Sequence, residues 1–322
     1  MTHLAYIIAA HHQPKQLGRM IRALYHRDDY FFIHINAKSN LHLFKQSVEK
    51  ADNIIFLSQR KKVYWGGSSL LRVILHLMQT VRQYSVQDSV NFSYCIYLSG
   101  NDYPIKPLTA IRQKLSVADK EWIRVDGNLV PQTNAFLDDG SYEHIAYRYF
   151  FDNPLFNPRS SLPHKLRLRL QSVHQFLTMR VMGSRSYIRD FVPYKGSSWW
   201  ALTLDCINYL LDFIKQNQNI LRFHNQVLVP EEILFHSILK QSPFAEKILM
   251  DCTISPCTNV VENGSHFIDW RPENYRYECH LVLDMTYREE LLASDCLFAR
   301  KFDEHLSFDL LDLIDREILA KP

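Results

Sequence analysis

Glycine is scarce in this chain, 9 of 322 residues, and no Gly- or Ser-rich stretch joins one part to another. That excludes a string of flexibly tethered modules and a low-complexity function. An excess of one charge is missing too: 37 Lys and Arg stand against 34 Asp and Glu, a formal +3. So small a surplus argues against nucleic acid as a partner. No apolar run reaches the roughly 18 residues of a membrane-spanning helix. The amino-terminal MTHLAYIIAAHH has no basic leading segment and carries a His pair where a cleavage site would sit. No signal peptide is therefore expected. The six cysteines (Cys95, Cys206, Cys252, Cys257, Cys279, Cys296) are dispersed. Only Cys252 and Cys257 are close, and no second pair completes a zinc site. All six are expected to be reduced, mostly buried thiols of a cytoplasmic protein.

Several catalytic signatures are also absent. The first strand is not followed by G-x-G-x-x-G, and there is no G-x-x-x-x-G-K-[ST], so the usual dinucleotide and P-loop fingerprints are missing. Fifteen histidines include no H-E-x-x-H. No G-x-S-x-G nucleophile elbow occurs. No D-x-D occurs anywhere, which removes the common divalent-metal clamp for a sugar diphosphate.

What is present is a core. Apolar residues make up 47% of the chain and aromatics 13%, enough for a globular protein with a large interior. The first third alternates strand and helix patterns. LAYIIAA (4–10), FFIHI (31–35), NIIFLS (53–58) and YCIYLS (94–99) are continuous apolar runs, the mark of strands buried on both faces. Between them Pro14 opens one amphipathic helix, and Ser68 or Ser69 is the expected N-cap of another that runs to about Tyr84. Such strand–helix–strand units imply right-handed crossovers and a parallel sheet. Further strands are expected over 122–125, 197–203 and 267–270. Helices are expected from Asp205 to Ile214 and from Pro230, and the amphipathic tail 307–319 is expected to dock on the body. In sheets of this kind ligands bind beyond the carboxyl ends of the strands. Those ends are His11-His12-Gln13, Asn36-Ala37-Lys38, Tyr64-Trp65-Gly66-Gly67 and Gly100-Asn101-Asp102-Tyr103-Pro104.

Four segments, AYIIAAHHQPKQLGRMIRALYHRDDYFFIHIN, VYWGGSSLLR, YLSGNDYPIKP and FARKFDEHLSFDLLDLID, occur in this order, with YKGSSWWALTLDC and PEEILFHSIL before the last. Together they resemble the core-2/I-branching β-1,6-N-acetylglucosaminyltransferase family, which includes the peptide O-xylosyltransferases, over about residues 4 to 316. The resemblance implies an α/β fold of GT-A type: a parallel-rich, nucleotide-binding sheet flanked by helices, then a less regular acceptor-side half. One glycosyltransferase domain over 1–322 is expected, with 1–120 binding the nucleotide sugar and 121–322 serving acceptor and catalysis. The implied reaction is inverting transfer from a UDP-sugar to a hydroxyl of a glycan or glycolipid. N-acetylglucosamine is the first candidate sugar and xylose the second; the alternatives are transfer from another UDP-sugar, or a catalytically degenerate member that binds a glycan or a partner. No metal and no cofactor beyond the donor is implied. A bacterial-type, cytoplasmic member is expected, peripheral to the inner membrane face or free of it.

The resemblance also assigns residues. Glu232, in Pro230-Glu231-Glu232, matches the family's catalytic base, while acids in a first helical turn also serve the helix dipole. Lys301, with Arg300 beside it, matches a cation on the leaving diphosphate. Where a second family cation, an Arg, would stand, this chain has His266; Arg271 or Arg276 is the substitute. Asn36 stands where the family usually has Asp, at the donor's ribose or uracil. Tyr64 matches an aromatic near the uracil. Asp102, in Gly-Asn-Asp-Tyr-Pro, is expected to orient the sugar or a loop, or to cap the turn before Pro104. Ser197 and Ser198 match a segment lining the donor site. Of Trp199 and Trp200, alternating across a strand, at most one faces the cleft. Glu143 and Trp270 are matched to acceptor contacts. Residues 159–195 carry eight Lys and Arg against one acid, Asp190. This stretch reads either as a face meeting a membrane surface or as a packed amphipathic helix with a solvated basic side.

Overall fold

The computed structural model describes residues 3–117, 119–271 and 282–320. In the first third, β1 (His3–Ala10), β2 (Tyr30–Ile35), β3 (Ile54–Phe56) and β4 (Phe92–Ser99) alternate with α1 (Pro14–Leu24), α2 (Leu41–Ser47) and α3 (Ser68–Gln87). Then come β5 (Tyr103–Pro104), α4 (Leu108–Val117), β6 (Glu121–Asn128), α5 (Tyr142–Ala146), α6 (His164–Gln175), β7 (Tyr194–Gly196) and β8 (Ala201–Thr203). The remainder is α7 (Leu204–Gln216), α8 (Gln218–His224), α9 (Glu231–Lys240), β9 (Ile248–Asp251), β10 (Glu262–Asn263), β11 (His266–Ile268), α10 (Arg288–Ala293), β12 (Phe298–Arg300) and α11 (Phe308–Ile314).

Eight strands form one sheet in the order β3-β2-β1-β4-β8-β6-β7, with β9 also on β6. β1 pairs parallel with β2 and β4, and β2 with β3, as the apolar runs predict. β1 shows why such runs have no polar alternation. Leu4, Tyr6, Ile8 and Ala10 enter one core with α1, α4 and α11; Ala5 and Ile7 enter the other with α3, α7 and α9. Both faces of the sheet are covered, so both sets of side chains must be apolar. The α/β class with a parallel-rich sheet flanked by helices is thus as expected. The second half departs from parallel: β8 runs antiparallel to β4 and β6.

A second sheet, ordered β10-β11-β12-β5, positions the site. β5 follows β4 after a three-residue turn, and β12 pairs antiparallel with β5 (Ala299 opposite Tyr103). Residues from near the end of the chain are thereby laid against the carboxyl end of the central strand. The tail docks as expected. Leu310, Leu311, Leu313, Ile314 and Ile318 are buried. Arg19 of α1 bonds Asp315 at 2.6 Å, and the Tyr103 hydroxyl donates to the same carboxylate at 2.6 Å.

Three local expectations need correction. The N-cap of α3 is Gly67, not Ser68 or Ser69. Asp152, from a remote loop, does the capping: its carboxylate accepts from the Ser69 N–H at 3.0 Å and the Ser68 hydroxyl at 2.7 Å. A Cβ on Gly67 would lie 2.4 Å from the Asp152 Oδ1, so the cap requires glycine there. Residues 197–200 are a turn between β7 and β8 rather than strand, and Trp199 and Trp200 are both buried. Cys252 and Cys257 are joined in a disulfide with Cα atoms 5.1 Å apart. Asp251 causes this: its carboxylate and carbonyl accept from Thr253, Ile254 and Ser255, folding the chain back after β9. Cys95, Cys206 and Cys296 are free and buried, as expected, while Cys279 lies outside the described residues.

Candidate active site

The carboxyl ends of β1, β4 and β12 are tied to one another. Gln13, in a left-handed conformation before α1, donates to Asp303. Asn101 donates to the Phe302 carbonyl at 2.9 Å and to Gln13 at 3.4 Å. Asn36 closes the fourth edge. Its side-chain amide donates to the Val63 carbonyl and accepts from the Val63 N–H, each at 3.3 Å. That two-point pairing copies a strand ladder with a side chain and fixes the approach to Tyr64.

Asp102 is the hub beneath these loops. It is fully buried and accepts from the Ser99 N–H at 2.6 Å and the Ser99 hydroxyl at 2.9 Å. It also pairs with Arg300, Nε to Oδ1 at 3.1 Å. The Arg300 guanidinium lies 3.7 Å from the centroid of the Trp199 ring, which stacks on Tyr97 at 5.1 Å. A cation held by a buried carboxylate and an indole face has one orientation available, because the fork geometry and the ring plane both constrain it.

Within the electrostatic reach of Arg300 is Glu232, in the first turn of α9 and half-buried. The Ser198 hydroxyl donates to its Oε1 at 3.0 Å. Burial pushes the Glu232 carboxyl above the usual range; Lys195, the Ser198 bond and Arg300 pull it back, and Asp126 pushes it further up. Lys195 is itself anchored by Ser141, at 2.6 Å, with Asp139 at 3.6 Å. Glu231 differs. It is buried, its Oε2 has no hydrogen-bond partner among the described residues, and burial, then the charge of Glu232, pushes it up to about 8. At neutral pH Glu231 is therefore the protonated acid of the pair.

Cations from separate loops gather nearby. Lys38 lies 3.4 Å from the Tyr64 ring centroid, and Arg159 lies 4.3 Å from that of Trp65. His11 is lowered to about 4, first by burial and then by His12, Lys38, Arg159 and Lys301. A neutral His11 therefore sits among three permanent charges. Since Lys301 follows Arg300, the cation cluster is continuous with the Glu232 site. Among the described residues, no three His, Cys, Asp or Glu side chains converge as metal ligands.

Several assigned residues are placed differently from expectation. Asp102 has no exposed surface and reaches a ligand only through Arg300. His266 is equally buried, bonded to the Ser265 hydroxyl at 2.9 Å and 3.6 Å from Asp102, and burial lowers its titration. A neutral, enclosed imidazole is no substitute for a phosphate-binding Arg. Arg271 is held by Asp269 at 2.7 Å and Glu290 at 3.1 Å, so its charge is already answered. Arg276 lies outside the described residues. Asn36 spends its amide on Val63. Ser197 accepts weakly from the Trp199 N–H at 3.4 Å, and its neighbour Ser198 is the serine on the acid. Glu143 is exposed on α5, next to the Ser141 that anchors Lys195. Trp270 is 40% exposed, two residues past β11, the parallel neighbour of β12. Sequence reasoning missed Lys38, Arg159 and Lys195. Lys38 and Lys195 stood in segments already singled out, at a strand end and in YKGSSWW; Arg159 opens the basic stretch 159–195, which in sequence reads as a surface face.

Residues 4–135 match the family model described as Core-2/I-Branching enzyme. The chain is 26% identical over 332 residues to Xylosyltransferase 2 of Rattus norvegicus, covering 98% of this chain and 33% of that protein. It is 24% identical over 334 residues to Xylosyltransferase 1 of Rattus norvegicus, covering 97% and 35%. The chain thus spans about a third of the length of these curated relatives. A solved structure of mouse Xyloside xylosyltransferase 1 in its apo form is similar at a TM-score of 0.36 and 11% identity, covering 92% of this chain and 97% of that one.

Proposed function

With the core-2/I-branching enzyme domain of residues 4–135 as premise, we propose that this chain transfers a sugar from a UDP-sugar to an acceptor hydroxyl with inversion, without a metal. One observation carries the reading. Glu232, raised by burial and held by Ser198, lies within the electrostatic reach of Lys195 and Arg300, and Arg300 is fixed at the carboxyl end of β4 by Asp102. Inversion in one displacement needs a base on the acceptor side. Glu232 takes the proton as the hydroxyl attacks the anomeric carbon, and its raised titration brings it nearer the working pH. On the donor side the bond from that carbon to the diphosphate oxygen breaks. Arg300, Lys301, Lys38 and Arg159 supply the charge that receives it. Tyr64 and Trp65 offer flat faces to the base or sugar. The acceptor is a glycan or glycolipid. The donor sugar is N-acetylglucosamine on the family resemblance. A second reading, xylose, is favoured by the names of the relatives.

UDP release measured over a panel of UDP-sugars tests the donor; no release with any acceptor and sugar would sink the transferase reading. Glu232→Gln should lower the rate by ~10²–10⁴-fold with UDP affinity near normal. Glu231→Gln should stay active. The reverse pattern would move the base to Glu231.

A further inference from the structure

The surface with the least conventional composition lies on α6 and the wider helical turn that continues it, Phe176–Val181. In α6 only His174 is buried, and in the turn only Thr178. His174 anchors the helix among the rings of Tyr149, Phe150, Phe151 and Phe156, at 5.2–6.2 Å. Exposed apolar side chains include Leu166 (44%) and Val173 (49%) on α6 and Phe176 (61%), Leu177 (37%) and Val181 (64%) on the wider turn. At about 100° per residue Leu166, Val173 and Arg169 fall on one stripe of α6, away from His174, with Lys165 at its edge, and the turn carries Arg180 on from it. All three cations are exposed.

We propose that this face docks on an anionic lipid surface. The apolar side chains would enter the boundary between headgroups and acyl chains, and Lys165, Arg169 and Arg180 would meet the lipid phosphates. Charge decides between this occupant and a second copy of the chain. A twofold interface would set Arg169 and Arg180 against their own copies, and residues 164–181 supply no acid to offset them. An anionic bilayer answers both. The face also adjoins the cleft: Arg159, just before α6, stacks on Trp65, and Asp152 caps α3. The inference does not depend on the transferase reading.

Flotation of the full chain with vesicles tests it. Binding is expected to phosphatidylcholine mixed with phosphatidylglycerol, not to phosphatidylcholine alone, and is expected to fall at high salt. At roughly 5-fold per cation, changing Lys165, Arg169 and Arg180 together to Ser should weaken binding ~100-fold. Phe176→Ser with Leu177→Ser should weaken it as well, while thermal melting stays unchanged because these side chains touch solvent. Arg169→Ser alone, expected to cost about 5-fold, serves if the triple variant does not fold. Absent or lipid-independent binding, or variants that bind like the parent, would overturn the proposal. So would light scattering that shows a dimer dissociated by Phe176→Ser.

Discussion

Glu231 and Glu232 share a helix start but not an environment. Glu232 has Ser198, Lys195 and Arg300 to hold its charge; Glu231 has burial and the charges of Glu232 and Asp152 against it, with a backbone hydrogen bond as its one support. The difference has a signature in stability. An unperturbed Glu titrates near ~4.3, whereas Glu231 titrates at about 8 in the folded chain. Between those values the folded state holds a proton that the unfolded state has released. Wild-type stability from this group is therefore full below the lower value and is lost as pH rises towards the upper one. Gln does not titrate. Glu231→Gln should gain on wild type as pH rises from about 4 to about 8, reaching on the order of a few kcal/mol, read as melting temperatures across that range. A difference that does not change with pH would show that Glu231 is not the protonated member.

At the scale of elements, the site depends on how closely β7 approaches β6. A Cβ on Gly196 would stand 1.9 Å from the Arg124 carbonyl oxygen and 2.6 Å from the His236 Cδ2. The strand is pinned between a backbone and a buried ring of α9, and neither is the free end of a flexible side chain. Lys195 precedes this glycine, and Ser198 follows two residues later. Gly196→Ala should cost on the order of 3 kcal/mol in urea unfolding and should lower activity as well, because both contacts of Glu232 move with the strand. Gly140→Ala is the comparison. Its φ of +82° strains any side chain, but nothing lies within 4 Å, so ~1 kcal/mol is expected there. Equal losses for the two would mean that β7 shifts easily and that Gly196 does not set the geometry.

For the whole molecule the question is where the charge sits. The chain is nearly balanced at +3, yet Lys38, Arg159, Arg300 and Lys301 arrive at one edge of the sheet from loops scattered along the sequence. A diphosphate leaving group must be neutralised by fixed cations or by a metal held on carboxylates. Asp102 is the acid in the four strand-end segments, and it is buried and committed to Ser99 and Arg300. Activity is therefore expected to persist in excess EDTA without added Mg²⁺ or Mn²⁺. Loss with EDTA and rescue by Mn²⁺ would assign the neutralisation to a metal.

The sequence by itself determined the parallel sheet, because strands buried on both faces must be continuously apolar, and runs such as LAYIIAA have no other economical use. It also determined where to look, since the polar segments that end those strands are the ones gathered at the site. Tertiary structure decided which of their side chains are free to act. Asp102, Asn36 and Arg271 read as donor ligands by position, yet each spends its hydrogen bonds inside the fold. Arg159 and Lys195 are brought to the site by a loop and a strand from elsewhere. The same holds for the cap of α3: Asp152 reaches it from 83 residues away, where no pattern of neighbouring residues could show it. Periodicity records what a residue is buried against only on its own element. Partners that long-range packing supplies leave no trace in the residues next door.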